Sequence, residues 1–150
     1  MKKSAGILVY RITKELEVFL VHPGGPFWKK KDEGAWSIPK GEYDEKENPL
    51  DAAKREFKEE IGMDIDGDFM ELDPIKQKGG KIVLAFAIEK NISADTISSN
   101  TFSMEWPPKS GKMQEFPEVD KAKWYAMDEA KQKINPSQAA LLDQLLLRLK

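Results

Sequence analysis

The chain has 150 residues, 40% of them hydrophobic and 33% charged, which is enough to bury one core but not two full-sized ones. Its 24 basic and 26 acidic side chains leave a net charge of −2, which argues against a generally basic nucleic-acid binder. Cysteine is absent, so disulfide staples, thiolate zinc sites and cysteine nucleophiles are excluded, and no apolar run reaches the length of a membrane span. The expectation is one cytoplasmic domain over residues 1–150 with no membrane association.

Ala5–Tyr10 and Val18–Val21 are apolar and rich in β-branched residues, and the polar stretch Thr13–Glu17 separates them, so they predict two strands of a hairpin. His22–Gly34 holds glycines, prolines and Lys29-Lys30-Lys31, which is loop chemistry. Trp36–Ile38 predicts a short strand that Pro39 ends. The first helix has the clearest limits: Asn48 as N-cap, Pro49 at the first helical position, and Gly62 to take the left-handed conformation that stops it. Leu50, Ala53, Phe57 and Ile61 recur at helical spacing and give that helix its core-facing stripe.

Phe69–Leu72 and Ile75–Gln77 predict short strands, Gly79-Gly80 a turn, and Lys81–Ile88 a longer strand. Residues 91–118 lack periodicity and carry Pro107, Pro108, Gly111 and Pro117, so they predict a long ordered loop. Trp124–Met127 predicts a strand and Asp128 to Lys133 a short helix. Asn135-Pro136 caps a final helix whose buried face is Leu141, Leu142, Leu145 and Leu149. Strands outnumber helices without regular βαβ alternation, which predicts an α+β sandwich.

The charge is unevenly spread. Residues 41–63 carry a surplus of acids, and Glu56, Glu59 and Glu60 stand at i, i+3 and i+4, on one helix face. Like charges at that spacing repel by a few tenths of a kcal/mol per pair, roughly. A divalent cation among them reverses the sign, and oxygen ligands without histidine or cysteine favour Mg²⁺ or Mn²⁺ over zinc. Taken alone, three glutamates also fit a solvated acidic face.

The residues around them decide between these readings. Gly41, Glu47, Arg55, Glu56, Glu59, Glu60 and Gly62, with Phe57 and Met63 at apolar positions, fill every fixed place of the Nudix signature. The chain therefore resembles a Nudix hydrolase. The resemblance implies the Nudix fold, a mixed β-sheet sandwiched between helices (α/β/α), and a reaction: hydrolysis of a nucleoside diphosphate linked to another group, with Mg²⁺ or Mn²⁺. It implies metal ligation by Glu56 and Glu60, with Glu59 beside them and the backbone carbonyl next to Gly41 helping. Arg55 and Glu47 would orient the cluster.

Specificity lies outside the signature. Lys40, just before the motif glycine, and the strand Ser4–Arg11 resemble the diadenosine polyphosphate hydrolases, with Lys40 and Arg11 on the polyphosphate. The tyrosine common in that group past the motif is replaced here by Lys78-Gly79-Gly80. The proline that marks ADP-ribose enzymes is replaced by Gln77. Trp28 is the expected base-stacking residue, with Lys109, beside Trp106, on phosphate; Trp36 reads as part of a strand. His22, the single histidine, shows no partner in the sequence and is given a structural role.

The resemblance to dinucleotide hydrolases, in which a loop glutamate six residues before a strand tryptophan can act as general base, implies that role for Glu118, which stands so to Trp124. Glu115 and then Glu59 are the alternatives. The expected substrate is a dinucleoside polyphosphate. A nucleoside triphosphate, an RNA 5′ end as the one nucleic-acid partner, and a non-catalytic nucleotide-binding domain are the competing readings.

Overall fold

The structure, a computed structural model, describes residues 2–150. Strand β1 (Lys3–Ile12) is apolar on both faces, and this organises the molecule. Ala5, Ile7 and Val9 enter one core while Leu8 and Tyr10 enter the other. A strand with two buried faces must lie inside a sheet covered by helices on each side.

β1 runs antiparallel to β2 (Leu16–Pro23), with Tyr10 opposite Val18, and parallel to β6 (Ile82–Glu89), with Gly6 opposite Ala85. β3 (Lys40–Tyr43) pairs with the start of β1, placing Gly41 opposite Ala5. β9 (Val119–Ala126) extends the sheet beyond β2, while β4 (Met70–Glu71) and β5 (Ile75–Lys76) pair with β6. One parallel pair among antiparallel ones makes the sheet mixed.

Helix α1 (Pro49–Ile61) covers one face through Ala52, Ala53, Phe57 and Ile61. The other face is covered by α2 (Met127–Lys133), a 3-10 turn (Pro136–Gln138) and α3 (Ala139–Arg148). The expected α/β/α sandwich is what forms.

Both ends of α1 follow the local rules. Asn48 Oδ1 accepts from the backbone N–H groups of Leu50 and Asp51 at 3.0 and 3.2 Å, a cap that contributes about 1 kcal/mol. Gly62 takes φ 85° and donates to the Lys58 carbonyl. A Cβ there would also lie 2.6 Å from the Ser98 carbonyl oxygen, so the segment after β6 packs directly on the helix end.

Several expectations are corrected. Residues 91–118 are not all loop, because β7 (Thr101–Glu105) and β8 (Met113–Pro117) form a separate two-stranded hairpin. Phe102, Met104 and Trp106 are half-buried while their neighbours in sequence are exposed, an alternation hidden by the polar and proline-rich composition. Trp36–Ile38 forms no strand; Ser37 bridges Val21 and Trp36 bridges Ile134 singly. Asn135 caps the 3-10 turn rather than α3 itself. Leu141, Leu142 and Leu145 are buried, but Leu149 follows the last helical residue and is exposed. Among the described residues no helix is long and apolar enough to cross a membrane.

Candidate active site

The site is built on one face of α1 where it meets β3. Glu56 is buried, and its carboxylate lies against Gly41: a Cβ at that position would stand 2.0 Å from Glu56 Oε2. The glycine is needed for close approach rather than for its backbone angles, since its φ is not left-handed.

Arg55 holds the cluster in register. Its Nε and Nη2 donate to the two oxygens of Glu47 at 2.8 and 3.0 Å, a bidentate pair, and Nη1 donates to Glu56 Oε1 at 2.8 Å. Nη1 also reaches Glu59 Oε1 at 3.3 Å. The Glu47 bonds do most to keep the guanidinium charged, with Glu56 adding to them.

Glu60 is the most perturbed acid. Burial, followed by the charges of Glu56 and Glu118, pushes its carboxyl up to about 8, although the Lys40 ammonium and backbone N–H oppose the rise. Glu56 is raised too, by burial first and then by Glu59 and Glu118, against the pull of Arg55. Glu118 moves the same way through burial and Glu59. Lys40 moves down, chiefly through burial and then through Lys81.

Glu60, Glu118 and Lys40 share a cleft of about 110 Å³, walled by Val21, Ser37 and Val119. Glu118 reaches it through a chain of backbone bonds. The Glu118 N–H donates to the Asn100 carbonyl at 2.8 Å, and the Asn100 N–H donates to the Glu59 carbonyl at 2.7 Å. The Ser98 N–H donates to the Ile61 carbonyl at 2.8 Å. Residues 98–100 thus satisfy carbonyls at the C-terminus of α1 and clamp Glu118 to it. Glu115 lies on β8 opposite Ser103 and is exposed.

Other expected residues lie elsewhere. Arg11 is near the far end of β1 from Gly6, the partner of Lys40, about five residues or roughly 17 Å along the strand. It bonds Glu17 at 2.7 Å and Asn91 at 2.9 Å, and its guanidinium lies 4.2 Å from the Trp124 ring centre. It is committed to that edge of the sheet and is not brought to the carboxylates. Lys109 sits in the turn between β7 and β8, several residues from the hairpin base where Glu118 begins.

Trp28 is half-buried and meets the Phe27 ring edge-on, with the Lys31 ammonium over both rings. Phe27, 64% exposed, presents the more open ring of the pair. Trp36 is buried in the core, consistent with a structural role. His22 does have partners, Asp120 and the Lys31 carbonyl, which corrects the reading that it has none.

Two features escaped the sequence. Lys78 and Lys81, together with Lys40, Gln77, Asn135 and Ser137, line a groove of about 610 Å³. The visible signal was the pair of lysines flanking Gly79-Gly80. Gln138 is buried and accepts from the Ile38 N–H at 3.1 Å, so it fixes the segment leading into Lys40. Nothing in its local sequence marks that role.

The carboxylates of Glu56, Glu59 and Glu60 are hard oxygen donors of the kind a divalent cation takes, and burial and mutual repulsion raise Glu56 and Glu60. Among the described residues, no three acidic or histidine side chains are already gathered around one point. Arg55 draws Glu56 and Glu59 to one side.

Comparison with known proteins is consistent with this geometry. The NUDIX domain profile matches residues 2–145. Comparison with curated protein sequences finds no match. Among solved structures, the NUDIX domain of Shewanella oneidensis NrtR complexed with ADP ribose is similar at TM-score 0.68 and 15% identity, over 99% of this chain and 88% of that one. A C. elegans Ap4A hydrolase binary complex is similar at TM-score 0.65 and 23% identity, over 99% and 98%. A mutT/nudix family protein from Listeria innocua matches at 0.65 and 16%, over 99% and 93%. With residues 2–145 matched to the NUDIX domain and every fixed signature residue in place, the chain belongs to the Nudix family and is a Nudix pyrophosphohydrolase.

Proposed function

We propose that this enzyme hydrolyses dinucleoside polyphosphates with Mg²⁺ or Mn²⁺. The observation that carries the reading is the position of Lys40, which borders both the carboxylate cleft and the groove containing Lys78 and Lys81. A long polyanion can lie along these lysines while one of its phosphorus atoms faces the glutamates. The similarity to C. elegans Ap4A hydrolase, although low, favours the same substrate class.

Glu56 and Glu60, with Glu59 and the backbone carbonyl next to Gly41, would hold the ion. When bound it supplies charge neutralisation on the pyrophosphate oxygens and acidity for the attacking water. Glu118 is assigned as the base that accepts the water's proton, because it shares the cleft with Glu60 and its carboxylate, raised by burial and then by Glu59, is a stronger proton acceptor than a solvated one. Arg55 keeps Glu56 in position, and Lys40 binds phosphate. Phe27 and Trp28 form the aromatic pair that would receive a base.

A substrate panel with Mg²⁺ tests this directly. Dinucleoside polyphosphates of four or more phosphates should give a higher kcat/KM than ATP, ADP-ribose or diphosphoinositol phosphates. A preference for ADP-ribose or a mononucleoside triphosphate would overturn the substrate reading and leave the carboxylate chemistry standing.

The base assignment has its own test. Glu118→Gln should lower kcat about ten- to a thousand-fold with KM nearly unchanged, whereas Glu115→Gln should do little. Near-normal turnover in Glu118→Gln would move the base role to Glu59.

A further inference from the structure

His22 is 1% exposed, and both of its ring nitrogens face oxygen acceptors. Nδ1 lies 2.9 Å from Asp120 Oδ1, and Nε2 lies 2.6 Å from the backbone carbonyl of Lys31. Neither an ionised carboxylate nor a carbonyl has a hydrogen to give. A neutral imidazole carries one N–H, so one of its nitrogens would press a lone pair against an oxygen in a buried setting. The doubly protonated ring donates to both.

We infer that His22 is a positioning residue that acts as an imidazolium clamp, joining the 24–35 loop to the start of β9 next to Glu118, and that losing its second proton releases the loop. The two tethered segments matter to the site. Asp120 lies two residues after Glu118, at the start of β9, and the Gly24 N–H donates to the Glu118 carbonyl at 3.0 Å. The loop carries Phe27 and Trp28, whose rings are capped by Lys31, the residue whose carbonyl His22 holds.

The charged groups around the ring come from each neighbouring element. β9 supplies Asp120 and Lys121, the latter over the Trp36 ring at 5.6 Å. The loop supplies Lys31 and also Asp32, which accepts from Trp36 Nε1 at 2.9 Å and pairs with Lys133 of α2. The Trp36 ring itself meets the imidazole edge-on at 5.2 Å. Asp120 is the anion in direct contact with the ring.

The chain has a single histidine, so nitrogen NMR of that side chain is unambiguous. While the loop is held, both ring nitrogens should carry protons. The Lys29-Lys30-Lys31 run makes trypsin a probe of loop release: its cleavage rate there, normalised to a free peptide at each pH, should rise roughly ten-fold as the ring loses its second proton. His22→Gln should be cleaved fast at every pH.

Asp120→Asn is the decisive variant, because an amide can donate to a neutral Nδ1 or accept from a charged one. Its loop should stay protected across the range, and the pH dependence should vanish. On the reading that Phe27 and Trp28 receive a base, wild-type KM for a dinucleoside polyphosphate should rise with pH in parallel with cleavage, and KM in Asp120→Asn should not. A flat KM beside pH-dependent cleavage would count against that base-binding role and leave the clamp intact. A singly protonated ring while the loop stays protected, or unchanged pH dependence of cleavage in Asp120→Asn, would overturn the clamp.

Discussion

Glu56→Gln should lower kcat by about two to four orders of magnitude in excess Mg²⁺. The amide keeps the shape of the side chain and can still accept from Arg55 Nη1, now 2.8 Å from Glu56 Oε1, so the local packing survives. What goes is a negative charge at the point where burial and neighbouring acids already oppose it. That opposition sets the sign of the stability change. A buried carboxylate whose pKa is raised weakens the fold when ionised, so the neutral amide should leave Tm of the metal-free protein unchanged or higher. Measuring kcat and Tm together separates the two effects. A variant with near-normal turnover would show that Glu56 is not a ligand; one with lost turnover and a much lower Tm would point to a scaffolding role.

Gly41→Ala is expected to disable the site without touching an acid. Its Cβ would lie 2.0 Å from Oε2 and 2.1 Å from Cδ of Glu56, inside any tolerable contact. Neither partner retreats easily. Gly41 is paired with Ala5 in the sheet, and Glu56 is buried and held by Arg55. The carboxylate must therefore swing away or β3 must shift. A displacement near an ångström in a reacting geometry costs about a hundred-fold in rate, so kcat/KM should fall at least that far. Overpacking of this kind costs about 1–3 kcal/mol of stability, so the variant should still fold, as circular dichroism can check. Wild-type kcat/KM in a folded Gly41→Ala would mean that Glu56 has a second productive position.

The motif helix was legible in the sequence because everything that makes it is local. Asn48, Pro49 and Gly62 set its ends within a few residues of the backbone groups they satisfy, and the i, i+3, i+4 spacing alone puts Glu56, Glu59 and Glu60 on one face. The fold class followed from the apolar strands and the Nudix signature. Arg55 orienting the cluster was also readable, since Glu47, eight residues earlier, belongs to the same motif.

Tertiary structure alone decided what comes from afar. Strand register put Arg11 at the end of β1 away from the carboxylates and Lys40, on β3, opposite Gly6 near the start of β1, and a side chain's position along a strand is not written in its identity. The pairing of residues 98–100 with the end of α1 brought Glu118 to the cleft with Glu60 and left Glu115 exposed on β8, two acids that are equivalent as loop residues in sequence. Lys78 and Lys81 joined Lys40 through the parallel alignment of β6 with β1, a contact of high sequence separation. His22 met Asp120 across 98 residues, and Gln138 met Ile38 across 100. Periodicity and capping report only on residues within a turn or two, so the sequence by itself determined the acidic motif helix, while the lysine-lined groove, the place of Glu118 and the His22–Asp120 contact depend on which distant strands lie side by side.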